Sequence, residues 1–247
     1  MSLRIWHTSD LHDRRQAVAR VAALRDAEPG LLFDCGDSLR GSQTVYHRDE
    51  PIIAQIDAAR YDAQGMGNRE FHYLFGAVRA RAAKMRHPLV CSNLVDVRGR
   101  PLPFAADATF ELRDGTRAWR VRVFSLLVVQ YPHGSPWERV FGWRFLDPIG
   151  VARGIAAETP GDTVLVALSH LGLRADRTLA SAAPRIDLIL GGHSHDTLFE
   201  PEVVDGVPIV HAGPYGAYAS RTELEAGAYG RPRVVRSHLV PVLARAA

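Results

Sequence analysis

Asp187-Leu188-Ile189-Leu190-Gly191-Gly192-His193-Ser194-His195 is the stretch on which the fold turns. The aliphatic run 186–190 reads as a short buried strand. Two glycines end it, and they let the backbone turn tightly and approach a ligand closely. His193 and His195 then follow, two residues apart, so in extended backbone their imidazoles point the same way. In open α/β sheets, ligands gather outside the carboxyl ends of strands. This segment therefore predicts a strand of such a sheet, with ligand-binding groups at its end.

Working outward, the same device recurs along the chain. A strand over 3–9 leads into Asp10-Leu11-His12, one over 31–35 into Gly36-Asp37, one over 61–67 into Gly67-Asn68, and one over 163–169 into Ser169-His170. Helical patterns lie between them. Residues 14–27 carry Val18, Val21, Ala22 and Leu24 at helical spacing, and 51–60 begins with a proline in the first turn. Further helices are predicted over 70–85, 147–158 and 175–183, with a strand over 88–94. Extended runs at 109–112 and 117–129 flank Asp114-Gly115, a hairpin signal. Strands are predicted at 207–212, 220–224 and 233–240. Helices between strands, followed by a meander, predict two sheets packed face to face with helices outside. With no linker or internal repeat, 1–247 reads as one domain.

Composition bounds the function. The chain has 247 residues, 47% hydrophobic and 23% charged, the profile of a globular domain. No apolar run approaches the roughly 20 residues needed to cross a bilayer, so no membrane partner is expected. The start, Met1-Ser2-Leu3-Arg4-Ile5, lacks the parts of a signal peptide and points to the cytoplasm, or to the periplasm if a leader has been removed. The net charge is only +3, Lys84 is the sole lysine, and the arginines are scattered rather than clustered, which weighs against nucleic acid as partner. Cys35 and Cys91 make no disulfide framework and read as small buried apolar residues.

Asp10, His12, Asp37, Asn68, His170, His193 and His195 together offer carboxylate, imidazole and amide donors, a set suited to zinc, iron or manganese rather than calcium. One carboxylate can bridge two cations, and a pair about 3.5–4 Å apart can clamp an in-line displacement. Singly, each signal is weak. Asp-x-His is common, Gly-Asp is usually a turn, and a lone histidine is usually structural.

The ordered set resembles the calcineurin-like metallophosphoesterase superfamily, and the flanking residues are similar to the N-terminal catalytic domain of its 5'-nucleotidase branch. They include Cys35-Gly36-Asp37-Ser38, Gly41-Ser42, Gly67-Asn68-Arg69-Glu70-Phe71, Ser92-Asn93, Leu168-Ser169-His170-Leu171-Gly172 and Gly191-Gly192-His193-Ser194-His195. Gly206-Val207-Pro208-Ile209-Val210, Ala212-Gly213 and Tyr215-Gly216 fit the same pattern. The resemblance implies an α/β fold, a four-layer αββα sandwich of two packed mixed sheets with outer helices, and two divalent metal ions. Asp10, His12 and His195 would hold the first ion, Asn68, His170 and His193 the second, and Asp37 would bridge them. The implied reaction is hydrolysis of a phosphate monoester, with a nucleotide-like substrate favoured, by attack of a metal-bound hydroxide on phosphorus. The alternatives are a phosphodiesterase acting on a cyclic nucleotide or nucleic acid, and a metal-containing binding protein with little activity.

Three features depart from that pattern. The family has a histidine after Gly-Asn that aids the transition state or protonates the leaving oxygen; here it is Arg69, and the aspartate expected three residues on is His72. Arginine binds phosphate well but donates protons poorly at neutral pH. Arg69 is thus read as a phosphate contact, or as pointing elsewhere with weak activity, while His72 is a candidate for the acid role. Asp13 stands where glycine is common and is read as an N-cap for the following helix. The nucleotide-specificity domain that follows in family 5'-nucleotidases is expected to be absent. Tyr131, Trp137, Phe141, Trp143 and Tyr215 are either pocket lining or core.

Overall fold

Alternation of apolar side chains decides the layers. In the computed structural model, which describes residues 2–114, 117–227 and 232–243, strand β1 (Leu3–Thr8) sends Leu3 and Ile5 to one face and Trp6 to the other. Strand β9 (Val164–His170) does the same with Val164, Val166 and Leu168 against Leu165 and Ala167. Residues two apart share a face of a strand, and here both faces are apolar because both are covered.

The first sheet also contains β2 (Leu31–Asp34), β3 (Ala63–Gly65), β4 (Leu89–Val90), β13 (Tyr218–Ala226) and β14 (Pro232–Pro241). Its order is β14-β13-β1-β2-β3-β4, with β1 to β4 parallel, β13 antiparallel to β1, and β14 antiparallel to β13. The second sheet contains β6 (Asp107–Asp114), β7 (Arg117–Leu127), β10 (Leu188–Gly191), β11 (Glu202–Val204) and β12 (Val207–His211) with β9. Its order is β11-β12-β10-β9-β7-β6, parallel from β12 to β7 with antiparallel strands at both edges. Both sheets are mixed, as expected.

One apolar cluster lies between the sheets, where Ile5, Phe33 and Ala63 meet Val123, Val166 and Leu190. A second joins the outer face of the first sheet to α1 (Arg15–Ala27) and α2 (Pro51–Ala58), through Trp6, Leu32, Val18, Val21, Ile52 and Ile56. A third joins the second sheet to α5 (Pro148–Glu158) and α6 (Leu173–Ala182), through Leu165, Ile189, Ala152 and Leu179. Helix, sheet, sheet, helix is the four-layer αββα order. Among the described residues no helix is long and apolar enough to cross a membrane.

Some elements differ from expectation. The helix predicted over 70–85 is shorter, α3 (Phe75–Ala82), because Glu70 turns its carboxylate inward and the preceding residues form a turn closed by Phe71 N–H on the Gly67 carbonyl. The strand predicted over 88–94 divides into β4 and β5 (Leu94–Asp96), since Asn93 binds the Leu127 backbone through both its amide groups. Helix α4 (Pro136–Phe141), its neighbour β8 (Trp143–Phe145) and edge strand β11 were not foreseen. The signals for α4 were present: Ser135 accepts a hydrogen bond from Trp137 N–H, Pro136 opens the helix, and Gly142 closes it at φ +86°. Asp13 is not an N-cap; α1 begins at Arg15, the capping position is Arg14, and Asp13 instead faces Arg15 at 3.6 Å. Gly115 of the hairpin signal lies outside the described residues. Both cysteines are buried and free.

Candidate metal centre

Five strands end on one side of the molecule, and the residues that follow them turn sharply. Asp10, His12, Asp37, His193 and His195 all have left-handed backbone, with φ between +46° and +75°. Such conformations cost a non-glycine residue about 1 kcal/mol or more and persist only where surrounding contacts dictate them. Those contacts are present. Asp10 N–H donates to the Gly36 carbonyl, His12 N–H to the Asp37 carbonyl, and Tyr215 N–H to the Asp10 carbonyl. His193 N–H reaches both Asp10 carboxylate oxygens, at 3.2 and 3.1 Å.

A buried glutamate organises the centre. Glu70 accepts hydrogen bonds from the backbone N–H groups of Gly67, Asp37, Ser38 and Leu39 and from the Gln64 amide. One carboxylate thus fixes the turn after β2 against the turn after β3. Asp34 braces the same region, accepting from Thr8, Gly36, Ser38 and Gln64; burial, and then the Glu70 charge, push its carboxyl up to about 7. Glycine is required at 67: a Cβ there would lie 2.4 Å from Asp37 N, 2.6 Å from Asp37 Oδ1 and 2.9 Å from His170 Cε1.

The expected metal ligands fall into two overlapping groups, each with ligand atoms within 4.8 Å of one another: Asp10, His12 and His195, and Asp10, Asp37 and His170. Asp10 belongs to both. The Nε2 atoms of His12 and His195 stand 3.1 Å apart, and His195 Nε2 is 3.6 Å from Asp10 Oδ1. His170 donates Nδ1–H to the Cys35 carbonyl at 2.8 Å, which fixes its tautomer and leaves Nε2 facing Asp37 Oδ1 at 3.4 Å. That Nε2 is buried and makes no hydrogen bond. His193 joins neither group but lies edge-on to His170, with ring centroids 5.0 Å apart. Asn68 is held beside them by Gln130, whose amide donates to Asn68 Oδ1 at 3.1 Å. That oxygen keeps a second lone pair.

Electrostatics separate the histidines. Burial opposes charge on Asp37, yet the His170 imidazole beside it holds its carboxyl well below the usual range. In turn Asp37, and then Asp10, raise His170 against the effect of burial. Burial, then the nearby Arg69 charge, push His12 down to about 4, while burial and His170 lower His193. An anionic Asp37 and a neutral His12 suit a cation site, because a metal ion needs deprotonated ligands, and at the buried His170 Nε2 a cation would replace the proton that Asp37 and Asp10 favour there.

The two expected catalytic residues are placed differently. Arg69 donates from a single nitrogen, Nη1, to the carbonyls of Leu39, Arg40 and Gly41, while its backbone N–H donates to Asp37 Oδ1 at 2.8 Å. Its remaining guanidinium nitrogens are uncommitted among the described residues. His72 is buried; its Nδ1 accepts from Leu74 N–H at 2.9 Å, the ring also engages the Thr44 backbone, and burial followed by the Arg81 charge lowers its pKa. The structure therefore turns His72 towards backbone. Tyr131 and Trp143 are core, whereas Trp137 and Tyr215 are exposed. Glu70, Asp34 and Gln130 were given no role in the sequence. Only for Glu70 was there a signal, its place directly after Gly67-Asn68-Arg69.

With this geometry in view, comparison with known proteins gives a consistent result. None of the protein-family models matches the chain. Over 238 residues it is 27% identical to the uncharacterized metallophosphoesterase YunD of Bacillus subtilis, covering 90% of this chain and 50% of that protein. Over 293 residues it is 26% identical to human 5'-nucleotidase, covering 98% and 49% respectively. It superposes on the 5'-nucleotidase precursor of Thermus thermophilus with a TM-score of 0.80 at 23% identity, over 98% of this chain and 55% of the other. The chain is thus similar over most of its length to calcineurin-like metallophosphoesterases, and shares their fold. More narrowly, it matches the N-terminal half of 5'-nucleotidases, spanning about half the length of the curated relatives it matches.

Proposed function

We propose that the chain is a metal-dependent phosphomonoesterase acting on a nucleotide-like substrate. The observation that carries this reading is the convergence of His12, His195, Asp10, Asp37 and the orphaned His170 Nε2 on one small volume. Asp10, His12 and His195 would hold one divalent cation, and Asp37, His170, His193 and Asn68 a second. Manganese, iron or zinc suits these donors. When bound, such a pair supplies a nucleophile from water at neutral pH and neutralises charge on the phosphoryl oxygens.

The chain's own residues do the rest. The Cys35 carbonyl keeps His170 in the tautomer that presents Nε2. Arg69, tethered by one nitrogen to residues 39–41, offers its other N–H groups to phosphate oxygens as a fixed cation. It cannot act as an acid near pH 7, and the engaged ring of His72 favours water as the proton source for the leaving oxygen. Resemblance to human 5'-nucleotidase supports a nucleotide over other monoesters.

The test is to strip the protein with a chelator and reload it with manganese, zinc, iron, cobalt or magnesium in turn. Each form is then assayed on a monoester and a diester of one chromophore. At a hundred times the dissociation constant, a bound ion adds about 2.7 kcal/mol of stability, visible as a raised melting temperature. The reading expects that rise, with monoester cleavage exceeding diester cleavage. It fails if no cation raises the melting temperature, or if the diester is preferred.

A further inference from the structure

Tyr215 stands at the rim of the candidate metal centre. Its backbone is left-handed at φ +60°, a conformation glycine adopts without cost. The residue is 47% exposed. The turn that carries it is fixed from both sides. Tyr215 N–H donates to the Asp10 carbonyl at 2.8 Å, and the next residue, Gly216, is packed so closely on α1 that a Cβ would meet Ala17 Cβ at 2.3 Å. The result is a ring held beside the candidate ligands, with its centroid 5.2 Å from that of His12 and 5.5 Å from that of His195. Arg14 completes the rim. Its guanidinium carbon lies 5.7 Å from the centre of the tyrosine ring, the residue is exposed, and among the described residues no carboxylate pairs with it.

We propose that Tyr215, with Arg14 beside it, is the surface on which the planar aromatic part of a phosphate ester rests while its phosphate lies at the metal centre that Asp10, His12 and His195 help to form. This rests on the metal-centre reading above and narrows it: the site selects aromatic esters, such as nucleoside phosphates, over sugar or aliphatic phosphates. An exposed ring offers a π-face to any base, so the selection is for aromaticity and tolerates base identity. The neighbouring guanidinium adds a planar cation that stacks on the same kind of group. Tyr215 is thereby a specificity-determining residue, and the strained backbone keeps its ring at a fixed distance from the phosphate position.

The test uses the full chain loaded with manganese, and the phosphonate analogues of AMP and of ribose 5-phosphate, which share the anionic group but differ in the base and resist hydrolysis. Calorimetric titration should show the adenosine compound binding about tenfold more tightly, the scale of one base–aromatic stack. Tyr215→Leu should erase that preference and leave the ribose compound unchanged, whereas Tyr215→Trp should keep or enlarge it. A separate titration with manganese alone monitors the ligand cluster. An equal loss for both phosphonates, or loss of manganese binding in Tyr215→Leu, would make the ring a support for His12 and His195 and overturn the proposal. So would absence of any preference in the unaltered chain. If the unaltered chain takes up manganese but neither phosphonate, the phosphoesterase reading has failed, and this proposal with it.

Discussion

Replacing Glu70 by glutamine tests how the centre is built. The two carboxylate oxygens face five donors: Asp37 and Gly67 N–H at 2.7 and 3.0 Å on Oε2, and Ser38 N–H, Leu39 N–H and the Gln64 amide at 3.0, 3.3 and 3.2 Å on Oε1. Glutamine must turn an NH2 group towards one of these sets, so whichever way it is oriented at least two hydrogen bonds are lost and N–H groups oppose one another. Hydrogen bonds to a charged group contribute about 1.5–3 kcal/mol each, and a buried donor left alone adds its desolvation cost. Against this, burial already works to neutralise Glu70, raising its pKa, so removing the charge returns part of the loss. We expect a net destabilisation of about 3 kcal/mol, a fall in melting temperature of about 6–12 °C for a chain of this size. Because the same bonds set Asp37 against Gly67, manganese affinity should fall at least tenfold. Thermal and urea unfolding with and without manganese measure both. A loss under about 1 kcal/mol with unchanged manganese affinity would show that Glu70 does not anchor the two turns.

Further outcomes can be checked on the same preparation. Gly67→Ala should abolish manganese binding, since its Cβ would overlap Asp37 and His170; retained affinity would mean the turn has room the structure does not show. Arg69→Ala should raise the KM for a nucleoside monophosphate about tenfold or more. Arg69→His should not increase turnover, and a rise would place the arginine as a lost acid rather than a phosphate contact. Asp34 keeps its proton in the folded state up to about 7, whereas the unfolded chain releases it near 4, so this residue makes stability fall as pH rises across that interval. Asp34→Asn should remove a slope of up to about 1.4 kcal/mol per pH unit. His7, kept neutral by burial down to about 3, contributes the opposite slope below 6.5, and it cancels when variant and parent are compared at each pH by urea unfolding of the metal-free protein.

The strands and the clusters at their ends were legible because each is written locally. Leu188-Ile189-Leu190 followed by Gly191-Gly192 announces both a buried strand and its sharp end, and the αββα order follows from apolar residues on both faces of such strands. What escaped depends on partners distant in the chain. Nothing near Glu70 tells that its carboxylate will collect N–H groups from residues 37 to 39, a contact that shortened the predicted helix by five residues at its start. His72 looked available because its neighbours in sequence do not include Thr44. Helix α4 is only six residues long, below the length at which periodicity shows.

Asp10, His12, Asp37 and Asn68 come from the first sheet, whereas His170, His193 and His195 come from the second. A cation pair held among them would therefore act as a stitch across the seam between the two halves of the sandwich. Sliding one sheet against the other by an ångström would pull the stitch, so ion affinity becomes a gauge of registry in the apolar layer underneath. Substitutions there, at Val166 or Phe33 for instance, should be felt at the centre without touching it.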